Sequence, residues 1–118
     1  MNTEFYYMYR DAANYKQGRT TILEGELTFG QLLPFLDDKE NFIASQVGLD
    51  DLQEEMTNFP HQHDDHVWSE INEHDLTPTE EEPSCHLTAA QLLENFKKAG
   101  GKWDIKAVMK RLGLKEGF

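Results

Sequence analysis

Three of the chain's five histidines, His61, His63 and His66, fall within six residues, with Asp64 and Asp65 among them. Neutral imidazole and carboxylate are the ligands that zinc takes, typically four in a structural site and three plus a water in a catalytic one. The chemistry open to this stretch is metal binding, with His61, His63, His66 and Asp64 as ligands, zinc as cofactor and metal-assisted hydrolysis as the reaction. In a strand, His61 and His63 would share a face and His66 would lie opposite. In a loop, Asp64, Asp65 or His66 could complete the set. Cys85 and His86 form a second pair further along, so a composite site including Cys85 is chemically reasonable. The spacing matches none of HExxH, CxxC or a zinc finger. Histidines beside acids are also common on solvated surfaces. That reading is preferred, and no cofactor is expected, with zinc as the alternative.

Nucleophilic catalysis has less behind it. Adjacency in a loop does not position the Cys85 thiol against the His86 ring, and Ser45 and Ser69 have no strand–turn–helix elbow around them. Gly100-Gly101-Lys102 lacks the strand and spacing of a phosphate loop. Charge carries more information. The net charge is −11. Residues 1–86 hold four basic and 19 acidic side chains, a net of −15, and residues 87–118 hold seven basic and three acidic, a net of +4. Such an acidic part repels nucleic acid and anionic membrane and attracts a basic protein surface. Glu24, Glu26, Asp50, Asp51, Glu54 and Glu55 could stand in for phosphates towards a protein that binds nucleic acid. Solubility alone also accounts for an excess of acids. The positive region, Lys97, Lys98, Lys102, Lys106, Lys110, Arg111 and Lys115, has no evident base-reading set. It is expected to lie against the acidic body, its own or that of a second copy.

The elements that must position these groups follow from pattern. Glu4–Arg10 is aromatic and alternating, which suits a strand with Phe5, Tyr7 and Tyr9 on one face and Tyr6 and Met8 on the other, both faces covered. Residues 11–18 read as a loop and Thr20–Leu27 as a second, antiparallel strand. Thr28 caps a short helix to about Leu36, with Pro34 acceptable only in the first turn. Asn41–Leu49 reads as a short buried strand or an extended segment closing at Gly48, and Asp50–Met56 as a short helical turn capped by Asp50. His66–Ile71 reads as a third strand. Thr77–Ser84, with two prolines and three successive glutamates, reads as a solvated linker. Thr88 and Gln91 make a capping box for a helix ending at Gly100-Gly101, and Asp104 caps another from Ile105 to Leu112. The expected fold is α+β: a small antiparallel sheet of about three strands, a short helix and a C-terminal helical hairpin. The expected organisation is an acidic body over 1–76, a linker over 77–87 and a basic hairpin over 88–118.

A chain of 118 residues with 38% hydrophobic content fits one folded domain. One cysteine cannot form an intramolecular bridge, and no signal-peptide pattern or membrane-spanning run stands out, which points to the cytoplasm. Tyr9-Arg10-Asp11-Ala12-Ala13-Asn14-Tyr15-Lys16 and Phe42-Ile43-Ala44-Ser45-Gln46-Val47-Gly48-Leu49 together resemble a group of small uncharacterised proteins of bacteria and their mobile elements. The resemblance covers the first half to two-thirds of the chain, leaves out the helical tail from Thr88, and brings no activity with it. It marks Asp11, Asn14, Lys16 and Gln46 as a binding surface, although Asp11 and Asn14 could equally serve their own loop. The expected function is a non-enzymatic binding protein acting through an acidic surface, in its most specific form a decoy or inhibitor of a nucleic-acid-binding protein. Its partner is a basic protein surface or a second copy, with no direct nucleic-acid or membrane contact. The rival is a metal-binding protein or metal-dependent hydrolase. A third reading is a small-ligand pocket lined by Tyr7, Tyr9, Tyr15 and Trp68.

Overall fold

Alternating side chains make Asn2–Arg10 the central strand, β1, with Thr3, Phe5, Tyr7 and Tyr9 buried. The computed structural model describes residues 1–57, 59–61 and 64–114. Lys16–Leu23 forms β2, antiparallel to β1 in unbroken register from Thr3 opposite Leu23 to Arg10 opposite Lys16. Three shorter strands follow: β3, Asn41–Phe42; β4, Ser69–Glu70; and β5, Leu76–Thr79. The strand order is β2-β1-β4-β3, and β5 shares the far edge of β1 with β4.

The sheet therefore has five strands where about three are read from pattern. The excess comes from β5 and from β3, which is the start of the Asn41–Leu49 stretch read as a short strand or an extended segment. In β5, Pro78 lies opposite Thr3 and Thr77 opposite Glu4. The stretch read as a solvated linker thus begins as a strand, because the free edge of β1 supplies a partner that composition does not reveal. Proline is tolerated where its missing N–H would face outward. The rest of the segment is tied down too, since the Ser84 and Cys85 N–H groups donate to Ile22 O at 2.9 and 3.0 Å. The third strand is short as well: only Ser69–Glu70 of His66–Ile71 pairs.

The second face of β1 is not sealed. Glu4, Tyr6, Met8 and Arg10 are half-buried there, and the Tyr6 ring lies across Gly18 so closely that a Cβ at Gly18 would sit 2.3 Å from the Tyr6 hydroxyl. The covered face carries the helices. Thr28 caps α1, Phe29–Leu32, with a full capping box to Gln31, and Pro34 falls at the start of a 3-10 turn over Leu33–Phe35. Thr88 caps α2, Ala89–Ala99, in the same way, and Asp104 caps α3, Ile105–Leu112, by accepting from the Ala107 N–H at 3.0 Å.

Leu92 and Phe96 of α2 share one core with Phe5, Tyr7, Leu23 and Phe42. A second cluster of Ile43, Val67, Val108, Leu112 and Leu114 holds α3, beside Trp68 and Trp103 packed edge to face at 6.4 Å. Among the described residues, α2 and α3 therefore pack against the sheet and loops of the same chain. Gly100 lies so close to Phe35 that a Cβ there would approach the Phe35 Cα to 2.9 Å.

Candidate functional site

Both ring nitrogens of His66 are taken by backbone. Nδ1 accepts the Trp68 N–H at 3.0 Å, so the ring hydrogen resides on Nε2, which donates to Arg10 O at 2.7 Å. The Tyr9 hydroxyl donates to Asp65 Oδ1 at 2.6 Å and accepts from the His66 N–H at 3.1 Å. Asp65 Oδ2 in turn accepts the His61 N–H at 2.6 Å. His61 Nδ1 is 3.4 Å from Asp64 Oδ2. His63 lies outside the described residues. Among the described residues, no three or more His, Cys, Asp or Glu side chains converge as metal ligands. The expected ligand set is corrected at His66: its lone pair serves the main chain, because a buried N–H must find an acceptor. This segment works as a staple that joins β1 to β4.

The six carboxylates read as phosphate stand-ins do not form one surface. Asp50 to Glu55 surround a 3-10 turn over Leu52–Glu55. There Arg19 bonds Asp50 and Glu55, and Arg111 bonds Glu54 at 2.9 Å as well as Asp51. The Asp51 side chain is fully buried, and its Oδ1 accepts the Ser45 N–H at 3.1 Å. Asp50 does not cap the turn. Asp51 occupies the cap position without a capping bond, and the Asp50 side chain goes to Arg19. Two arginines of the same chain thus engage four of the six acids. Glu24 and Glu26 stand apart, exposed in the connection between β2 and α1.

All three arginines are ion-paired, Arg10 with Glu70 at 3.0 Å, whereas among the described residues no lysine forms an ion pair. That split follows from the planar guanidinium, which can fork to two carboxylates. The scarcity of arginine beside plentiful lysine was the signal in the sequence that could have located these anchors.

Of the four polar residues marked by the resemblance, two are structural. Asn14 adopts a left-handed φ of 69° and its Oδ1 accepts from Arg10 Nη1 at 2.7 Å, a conformation asparagine tolerates better than most residues. Gln46 exchanges two hydrogen bonds with the Asp104 backbone, at 2.9 and 3.1 Å, and so fixes the start of α3. Asp11 and Lys16 instead reach the mouth of a cleft of about 450 Å³. One wall is the β1–β2 turn, where Asp11 Oδ1 accepts the Tyr15 N–H at 2.8 Å. The other contains Glu55, Met56, Phe59, His61, Asp64 and Asp65. Four carboxylates, those of Asp11, Glu55, Asp64 and Asp65, line this cleft with Lys16, Glu55 held by Arg19 and Asp65 by Tyr9 and the His61 N–H, and Tyr15 beside them is 68% exposed.

A smaller cleft of about 180 Å³ lies further along β2, lined by Arg19, Thr21, Asp50, Ser84, Cys85 and His86. His86 Nε2 is 2.8 Å from Gly48 O. The aromatic set read from the sequence is divided rather than gathered: Tyr15 lines the larger cleft, the buried Tyr7 reaches the floor of the smaller one, Trp68 lines a third, and Tyr9 is a core residue. Burial pushes the Tyr7 phenol up to about 12, against a smaller lowering by Arg19. Burial raises Tyr9 further, reinforced by its bond to Asp65.

Among the described residues, no helix is long and apolar enough to cross a membrane. The geometry offers an acidic, aromatic-edged cleft, an exposed strand edge and a surface rich in unpaired carboxylates. No protein-family model, curated protein or solved structure matches the chain.

Proposed function

We propose that this is a non-enzymatic binding protein that takes a basic protein surface on its acidic body. The observation behind it is the charge left after internal pairing. Glu24, Glu26, Asp37, Asp38 and Glu80 to Glu82 are exposed and have no ion-pair partner among the described residues. A protein that binds nucleic acid has the kind of surface these carboxylates fit, which makes a decoy or inhibitor role its most specific form. Internal pairing of Asp50, Asp51, Glu54 and Glu55 moves the emphasis from that turn to the remaining acids.

Charge-led association is screened by salt, with a Debye length of about 10 Å at 0.1 M. Affinity for a basic DNA-binding protein should therefore fall at least about tenfold between roughly 50 and 300 mM salt. Duplex DNA should compete for the same partner. Isothermal titration across that range checks it, and an affinity indifferent to salt would remove the proposal.

A further inference from the structure

The outer edge of β2 is a separate feature. β2 ends the sheet, with β1 its one neighbouring strand. In an antiparallel pair, alternate residues turn their N–H and C=O groups away from the partner. Ile22 belongs to the outward set, because its N–H donates to Ser84 Oγ and its carbonyl accepts from Ser84 and Cys85. Lys16, Gly18 and Thr20 share that phase. No described residue pairs with their backbone on the outer side. Proteins normally blunt such an edge with charged side chains, proline, a bulge or a covering loop, and Lys16 and Arg19 are the charged residues of β2. β2 has no proline, keeps continuous register with β1, and is covered only at its Ile22 end.

The two clefts border this same edge. Gln17, Arg19 and Thr21 point to the covered face, opposite Tyr9, Tyr7 and Phe5. The larger cleft is lined by Lys16 and Gln17, the smaller by Arg19 and Thr21. Arg19, held by Asp50 and Glu55, stands at the boundary between them. A strand laid along β2 would carry side chains to that face every second residue, about 7 Å apart. With Glu55 held by Arg19 and Asp65 by Tyr9 and the His61 N–H, Asp11 and Asp64 are the carboxylates that mark the first cleft for a cationic side chain whose stem can lie along Tyr15.

We propose that the outer edge of β2 docks an extended, arginine- or lysine-bearing segment of the partner. That segment adds a strand to the sheet, seats a cationic side chain in the larger cleft and places a neutral one beside Arg19 in the smaller. This rests on the reading that the partner is basic, and it names how the partner is held: main-chain hydrogen bonds supply affinity and the clefts supply selectivity.

The probe is a blocked peptide of about nine residues, threonine and valine with one arginine placed to meet the larger cleft, a length that spans the free edge. A second peptide of identical charge carries N-methyl groups on alternate backbone nitrogens, and a third replaces arginine with glutamate. The first should bind the wild-type protein at low salt and slow amide exchange at Lys16, Gly18 and Thr20 at least about tenfold. N-methylation should weaken binding at least about tenfold, and the glutamate peptide should not bind. Thr20→Pro removes an outward N–H without breaking a bond to β1, so the variant should fold and lose the peptide. Should that variant not fold, the N-methyl comparison on wild type decides alone.

Equal binding of the N-methylated and plain peptides would overturn the strand-addition inference while leaving the acidic-surface reading intact. So would binding of a folded basic protein but not of the arginine peptide. Equal binding of the glutamate peptide with edge protection would instead count against the acidic reading. If the three amides are already protected in the free protein and sedimentation shows a dimer, a second copy occupies the edge and the inference falls.

Discussion

Tyr9 shows how a single hydroxyl can organise a region. It bonds Asp65 and the His66 backbone, Asp65 holds the His61 backbone, and the Ala12 N–H reaches Asp64 O at 3.0 Å. The phenols of Tyr7 and Tyr9 are pushed up by burial, Tyr7 to about 12 from an ordinary 10.0. A group whose folded-state value is raised keeps its stabilising contribution below the unfolded value and loses it as pH climbs. Stability should thus hold up to about pH 10 and fall steadily towards 12, with Tyr9→Phe showing a shallower fall than wild type; denaturant melts across that range check it. Arg111 offers a second test. Its removal leaves the buried Asp51 carboxylate with only the Ser45 N–H. Arg111→Ala should cost about 1–3 kcal/mol in urea unfolding, because an unsatisfied buried acceptor keeps its desolvation penalty.

At the scale of elements, local chemistry and tertiary opportunity separate cleanly. Both capping boxes, the paired β1 and β2, and the ends of α2 and α3 can be read from the sequence because their causes lie within a few residues. β5 cannot, since it exists only because β1 presents a free edge, while β3 is the part of the Asn41–Leu49 stretch, legible as a strand or an extended run, that finds a partner in β4. The site divides in the same way. Asp11 and Lys16 stand out beforehand and do reach the cleft, whereas the opposite wall is brought there by the path of residues 55–65. His66 looks like a ligand by type, and its actual partners are backbone atoms that residue identity does not encode. The junction of α2 with the 3-10 turn gives a clear prediction. A methyl group at Gly100 would push against the Phe35 backbone rather than a movable side-chain tip. Gly100→Ala should therefore destabilise by about 1–3 kcal/mol despite the usual gain from removing glycine, as measured by thermal melting.

For the whole molecule, charge and fold run on separate sets of residues. Arginines secure the structure, while the described lysines, concentrated in the C-terminal helices, form no ion pair among the described residues. A net of −11 is thus carried as a strongly dipolar pattern, with α2 and α3 positive and most of the remaining surface negative. Such a pattern would favour on-rate and orientation over raw affinity. Salt should consequently act more on association than on dissociation, which stopped-flow mixing with a basic partner would resolve. The division of labour between the two cations has a practical side. Amine-directed reagents modify lysine and spare guanidinium, so dye labelling, acetylation or coupling to a sensor surface should leave every arginine clamp in place. Attachment would run mainly through the C-terminal helices. Lys16 is the amine to watch, because a label there would sit at the mouth of the larger cleft.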